Sequence, residues 1–344
     1  MLSFAKDIGI NINTHGAENW PLPKAEYTFK YGQYKPSKTK GEFFANLRQD
    51  AGLKQKDLCE GICNPQVLGR LERDESECSV YYQEAIMQRL GRDSSRYFAT
   101  FLDMEIFRGK QLRDKVRALF TKVSKAEGEM YLQELKAHKD FKSGINLQFI
   151  KMEEAMVHLD RNGFDQAHIN MLEEAWKITK HTIDIFDSHR IAKTPLTEYE
   201  LMLVYKLAQH LYCTGDYRGG LRLLEGIMTS MASFYVDETA IAHLQVAVLD
   251  EYARQLDSMG RWDDACKYAM EGLGIAFKYN NLSPLPGLLS TLGCAYFSKG
   301  EMAQSQSYLV ASYHIAGMLE QTNMQQRIGE YIHKNFRKTL SHIF

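Results

Sequence analysis

LCEGICNPQVLGRLE, from Leu58 to Glu72, reads as the end of one short helix, a tight break, and a second short helix. Leu58 and Ile62 lie four residues apart and so share one helical face. Asn64 is a strong N-cap type, because its side-chain oxygen accepts a backbone N–H that a helix start leaves unpaired. Pro65 suits the first helical position, where a missing N–H costs nothing and φ is already helical. Leu68 and Leu71 then face inward; Val67 goes with them or, at the start of the helix, outward. Asn64, Gln66 and Arg70 stand on the outer side.

The flanking segments continue this pattern. GEFFANLRQDAG sets Phe43, Phe44 and Leu47 on one side and stops at Gly52. VYYQEAIMQRLG gives another amphipathic helix, ended by Gly91. Residues 1–40 hold Pro21, Pro23 and Pro36, and YTFKYGQYKPSKTK alternates lysines with aromatics. That extension either lies along a phosphate backbone as an arm or packs on its neighbour. From Phe101 to Phe344 nearly everything reads as helix. Gly215, Gly260 and Gly300 mark a repeat, in YCTGDYRGG, DSMGRWDDA and FSKGEMAQS. Seven residues before each stands a small residue (Ala208, Ala253, Gly293), and five after it another (Gly220, Ala265, Ser305). Small residues at fixed offsets let antiparallel helices approach closely, as in tetratricopeptide arrays. The spacing is longer than that repeat's usual ~34 residues, so its helices or loops are longer. RNGFDQA, around Gly163, is a degenerate further unit, and residues 322–342 read as a closing amphipathic helix. The expected architecture is all-α: an extension over 1–40, a helix-turn-helix domain over 41–100, and a tetratricopeptide-like α-solenoid with a C-terminal capping helix over 101–344.

The chain has 344 residues, a formal net charge of −1, and 25% charged residues. This is ordinary globular composition. No apolar run approaches the roughly 20 residues that span a bilayer, and no secretory signal is evident at the N-terminus. The six cysteines show no zinc-type spacing. Cys59 and Cys63 sit one helical turn apart, either as reduced thiols of a reducing cytosol or as a redox pair. No nucleophile-elbow, P-loop, zinc-protease or dinucleotide fingerprint occurs. The adjacent carboxylates Glu153–Glu154 and Glu173–Glu174 do not face one another on a helix. The expectation is therefore no enzyme, no metal and no cofactor.

In a helix-turn-helix the second helix presents its N-terminal side chains to base edges, while the first crosses the backbone. The candidate DNA-binding residues are Gln55, Lys56, Asn64, Gln66, Val67, Arg70 and Arg73. Gln pairs bidentately with adenine, Arg does so with guanine, and Val67 suits a thymine methyl if it faces outward. Arg48 and Arg73 are phosphate contacts or solvated charges, and Glu72 pairs internally. Gly69, a poor helix residue, either admits the duplex closely or permits packing between the two helices.

GLKQKDLCEGICNPQVLGRLE resembles the N-terminal helix-turn-helix of the Xre class, and its L-x-E-G-I-C and L-x-R-L-E portions are similar to those of the Rgg/PlcR-type regulators, the peptide-responsive RNPP group. EAIMQRLGRDSSRYFATFLDMEIF resembles the linker common in such proteins. The resemblance spans residues 41–344. It implies a cytoplasmic, homodimeric transcription factor of quorum sensing, whose repeats bind a short signalling peptide that modulates DNA binding or activation. The sequence departs from the family pattern in three places. Forty residues precede the helix-turn-helix, Lys54 stands where a Thr or Ser cap is usual, and Gly69 and Asp74 replace the usual Ser and Gly.

In tetratricopeptide arrays the first helix of each pair lines the concave face. That places Met202, Tyr205, Gln209 and Tyr212 inward in one unit, Asp250, Arg254 and Asp257 in the next, and Ser290, Cys294 and Phe297 in the last. Arg254 is the candidate for a peptide carboxylate or carbonyl, with Tyr205, Tyr212 and Phe297 forming apolar pockets. Otherwise the polar stripe is a solvated ion-pair network. Two recognition helices related by a two-fold axis read a palindromic operator with half-sites about 34 Å apart. Phe336 and Leu340, with no following repeat to cover them, are candidates for a further dimer contact. Two other readings stay open: a protein-interaction scaffold, and a DNA-binding regulator answering a small metabolite or no ligand.

Overall fold

A computed structural model describes residue 37 and residues 39–96, 104–117, 125–235 and 237–336. The expected N-terminal arm and Leu340 lie outside these, apart from Ser37, Thr39 and Lys40. Sixteen α-helices form the regular structure of the described residues, and no helix among them is long and apolar enough to cross a membrane. The chain is all-α, as expected. By packing it divides into two compact units, one up to Ile241 and the other from Ala242 onward. The expected blocks 41–100 and 101–344 are divisions by role; packing instead joins the helix-turn-helix to the first repeats.

The first unit begins with α1 (Lys40–Asp50), α2 (Gln55–Cys59), α3 (Pro65–Glu72) and α4 (Val80–Arg89). Phe44, Leu47, Leu58, Leu68, Leu71 and Ile86 are buried and make the core of this part. α5 (Met104–Arg117) and α6 (Lys125–Ala137) follow, then α7 (Gly144–Asn162) and α8 (Gln166–Lys177). After α9 (Ser188–Ile191) come α10 (Glu198–Cys213) and α11 (Tyr217–Phe234). α12 (Glu238–Ser258) carries the division between units within it.

The second unit continues with α13 (Trp262–Lys278), α14 (Leu285–Ser298), α15 (Met302–Met318) and α16 (Thr322–Phe336). Val246, Ala253, Leu273, Leu288, Leu292 and Tyr308 form its first core cluster, and Leu309, Ala316, Ile328, Ile332 and Phe336 its second. Phe336 is thus buried in its own chain, which corrects its expected place at a dimer contact.

The repeat glycines act through backbone conformation. Gly163, Gly215, Gly260 and Gly300 have φ of 77°, 98°, 76° and 82°, and nothing lies within 4 Å of a Cβ built on any of them. Each ends the first helix of a hairpin in the left-handed region, where an L side chain is strained. Gly163 therefore marks the degenerate unit that RNGFDQA suggested. Gly293 is small for a different reason: its Cβ would stand 2.5 Å from Leu309 Cγ, and Ser305 Oγ donates to its carbonyl at 2.7 Å.

Between α8 and α10 two buried histidines meet, with Nδ1 atoms 2.8 Å apart and stacked rings. One Nδ1 donates and the other accepts, so the accepting ring must be neutral and protonating both rings breaks the contact. Burial first, and then the charges of His210 and His158, push His168 down to about 4, against the pull of Asp165. Lys206 adds to the push. Protons therefore prefer the unfolded chain between the ordinary imidazole pKa near 6.5 and about 4. This contribution, roughly 2–3 kcal/mol, is present above that window and is lost as pH falls through it. Urea unfolding at pH 7 and 4.5 should show it, with His168→Asn losing clearly less between the two pH values than the parent chain. Equal losses would dismiss the pair as the cause.

Candidate nucleic-acid interface

Asn64 caps α3 as expected, its Oδ1 accepting from Gln66 N at 2.9 Å. That fixes the start of the helix and leaves Asn64, Gln66 and Arg70 exposed, with Val67 half-buried rather than fully inward. A cleft lined by Gln55, Pro65, Gln66, Gly69, Arg70, Arg73 and Glu75 runs along this face. Lys56, exposed at the start of α2, adds a cation on the same helix as Gln55.

The polar groups here differ in availability. The Arg70 side chain forms no hydrogen bond or ion pair among the described residues, though its charge, after the hydrogen bond from Arg73, helps lower the Glu75 carboxyl. Arg73 is exposed but forked onto Glu75 at 2.6 and 2.7 Å. Gln55 Nε2 donates to Glu72 at 2.7 Å. Arg48 is a correction: its guanidinium forks onto Glu72 at 2.6 and 2.9 Å and also donates to Leu53 O. It braces α1 against α3 and is no free phosphate contact. Glu72 pairs internally, as expected.

Gly69 is not required for packing. Its nearest neighbours to a built Cβ are Arg73 Nη1 and Gln55 Nε2, both at 3.4 Å, an ordinary contact with movable side-chain ends. What its lack of a side chain leaves open is the cleft itself. Asp74 explains the family's usual glycine at its place: its φ is 57°. Its carboxylate accepts from Gly41 N at 2.8 Å and from the Thr39 hydroxyl, so the strain comes with two contacts that tie the start of α1 to the end of α3. Composition and periodicity carry no signal for that tie.

The candidate peptide residues fall in both units and are described separately. In the first, Tyr205 is buried and its hydroxyl accepts from Gln209 Nε2 at 3.0 Å. Lys206, missed in the sequence, lies over the Tyr205 ring and donates to Gln209. Tyr212 is half-buried against Tyr217, and Met202 is half-buried. In the second, Asp250 accepts from Thr291 Oγ1 at 2.6 Å and lies 3.8 Å from Arg254. Arg254, exposed, pairs more closely with Glu251. Glu251 escaped the periodicity because Arg254 leans toward a buried residue beside the stripe. Burial pushes the Asp250 and Asp257 carboxyls up, against Arg254 in the first case and a Ser298 hydrogen bond in the second. Cys294 and Phe297 pack in the cluster with α16, Phe297 lying edge-on to Tyr331 and Phe336. The closing helix covers much of both, and neither stands on an open wall.

No family model matches the chain, and no curated protein matches it significantly. Solved structures do. PlcR of Bacillus thuringiensis, solved with the peptide PapR7 and DNA, aligns at 18% identity over 85% of this chain and 99% of PlcR, with a TM-score of 0.54. ComR of S. thermophilus, solved with DNA and its signalling peptide ComS, aligns at 16% identity over 85% and 98%, with a TM-score of 0.49. The Streptococcus dysgalactiae SHP pheromone receptor Rgg2 aligns at 15% identity over 86% and 99%, with a TM-score of 0.40. The likeness to PlcR shows a shared fold: a helix-turn-helix followed by a tetratricopeptide-like α-solenoid.

Proposed function

We propose that this chain is a cytoplasmic, homodimeric transcriptional regulator of the peptide-responsive kind, reading a palindromic operator with α3 and taking a short signalling peptide on its repeats. One observation carries the reading. Gln66 and Arg70 stand exposed at the start of a capped, Pro-initiated helix, beside an open glycine-floored cleft. Those side-chain types at that place suit base edges, and Lys56 suits a phosphate. The fold shared with a protein crystallised with both DNA and a peptide supports both partners.

The test begins with duplexes enriched from a randomised pool by the full chain. Arg70→Ala should weaken binding to the enriched site by roughly 1–3 kcal/mol and relax selection at one base position. Lys56→Ala should weaken binding evenly across sequences and lower the salt slope by about one. A pool that shows no enrichment, or an Arg70 variant that binds like the parent, defeats the DNA assignment. On the peptide side, Arg254→Ala should weaken binding of a short peptide encoded beside the gene by at least about tenfold, as for a lost charge-assisted contact. Calorimetry reads this directly, and unchanged affinity removes Arg254 from the site.

A further inference from the structure

Cys59 and Cys63 stand at the turn of the helix-turn-helix, with Cys78 near enough to act on Cys63. Cys63 N donates to Cys59 O at 3.0 Å across the non-helical turn of Glu60 and Gly61, where α2 has already ended. A hydrogen bond from i+4 to i across such a turn keeps the two α-carbons within about 7 Å, close to the span a disulfide bridges. The thiols already hydrogen-bond to each other, and Cys59 Sγ also donates to Gln55 O at 2.7 Å. Cys59 is buried and Cys63 is half-buried, so Cys63 is the more accessible of the two. The hydrogen bond from Cys63 lowers the Cys59 thiol; burial opposes this, and the nearby Arg89 charge reinforces it. The Cys63 thiol is pushed well up by the same bond, by burial and by the Cys59 charge. The pair therefore ionises first at Cys59, and Cys63 becomes the attacking sulfur only when the proton it shares crosses to Cys59.

We infer that Cys59 and Cys63 form a redox-active dithiol, which a low-molecular-weight disulfide converts to a 59–63 bond that changes the cleft along α3. The exchange balances without further reagents. The Cys63 sulfur, having given up its proton, attacks one sulfur of the small disulfide and expels the first small thiolate. The Cys59 thiolate then attacks Cys63 Sγ and expels the second. Two protein thiols are oxidised, one small disulfide is reduced to two small thiols, and the two protons end on those thiols. Cys59 thereby loses the proton it donates to Gln55 O. Gln55 lines the cleft and holds Glu72, which in turn holds Arg48. Oxidation is therefore read where the duplex would sit. That last step rests on the DNA reading, whereas the bond itself does not.

The full chain is equilibrated in mixtures of reduced and oxidised glutathione, alkylated, and mapped by peptide mass. The expected product joins Cys59 to Cys63, lighter by two hydrogens, and it should form equally in Cys78→Ser. Cys63→Ser, at a half-buried position that tolerates a near-isostere, should form no such bond. A stable glutathione adduct on Cys63, a Cys63–Cys78 bond, or full reduction across the series overturns the dithiol. Affinity for a non-specific 20-base-pair duplex at low salt is then compared between the two forms. Oxidation should weaken it by roughly two- to tenfold, the worth of one hydrogen bond, in the parent and in Cys78→Ser but not in Cys63→Ser. A 59–63 bond with unchanged affinity overturns the coupling to the cleft; no duplex binding by the reduced chain overturns it too, and counts against the DNA reading as well.

Discussion

Arg89→Met should destabilise the first unit by about 3–5 kcal/mol, the cost of breaking a buried ion pair from one side. Arg89 and Glu200 are both fully buried, 111 residues apart in sequence, and paired in a fork. Arg89 Nη1 also donates to Leu58 O at 2.9 Å and Glu60 O at 2.7 Å, the carbonyls at the end of α2. Glu200 in turn accepts from Thr179 Oγ1 and from Thr197 N, both at 2.7 Å, within the capping box that starts α10. Lys180 reaches Glu60 at 3.4 Å from the same strand of connections. The four charges balance, two of each sign. Burial pushes the Glu200 carboxyl up, but Arg89, then Lys180, then the hydrogen bonds outweigh it and hold it at about 2. Its stabilising share is complete above the ordinary carboxylate pKa near 4.5 and is lost as pH falls from there through about 2, below the window of the histidine pair.

Removing Arg89 leaves Glu200 facing Lys180 alone and strands two carbonyls. Removing Glu200's charge with Gln leaves Arg89 and Lys180 buried together. Each single change should be severe, while Arg89→Met with Glu200→Met should cost at least about 1 kcal/mol less than their sum, as coupled groups do. Urea unfolding at pH 7 measures this. Tryptophan fluorescence in a W20F/W262F background follows Trp176, buried in the same unit. Losses below about 1 kcal/mol, or strict additivity, would mean the pair does not hold the helix-turn-helix to the repeats.

The parts of this molecule that sequence discloses are those written in local backbone chemistry. Gly215, Gly260 and Gly300 were readable because a left-handed helix end admits few other residues, and Asn64–Pro65 because a helix start needs an acceptor and can spare a donor. Arg89 shows the opposite case. In EAIMQRLGRD it looks like any arginine at a helix end, and its partner lies beyond five intervening helices, α5 to α9. Arg48 was misread for the same reason: exposure was assumed for a charge whose carboxylate comes from α3. Periodicity rightly put Cys294 and Phe297 on one face of α14. It carries no information on whether that face opens to solvent or is closed by the next helix, and here α16 closes it. The histidine pair was equally hidden, since two imidazoles 42 residues apart leave no mark on either helix.

Gly61→Ala should be far more damaging than Gly52→Ala, although the two glycines have nearly the same backbone, with φ of 67° and 66°. Placing alanine in the left-handed region costs about 1–2 kcal/mol at either position. At Gly52 that is the whole cost, because nothing lies within 4 Å of the added carbon. At Gly61 the new Cβ would stand 2.2 Å from Thr179 Cα and 2.6 Å from Thr179 Cβ. Backbone cannot yield as a side-chain end does, so one segment must move. If Thr179 moves, its hydroxyl leaves Glu200 and no longer accepts from Gln148, which bonds it at 2.7 Å. If the turn moves, Leu58 O and Glu60 O leave Arg89. Either way the network that docks α2 is opened, and the further loss should be about 2–3 kcal/mol, that of buried groups left unpaired. The same W20F/W262F unfolding series compares the two variants. Hydrogen exchange adds a local reading, since amides of α2 and α3 should lose protection in Gly61→Ala and keep it in Gly52→Ala. Equal destabilisation would reduce Gly61 to an ordinary turn glycine, and the orientation of α3 would then have to be set by contacts other than the one its own turn makes with Thr179.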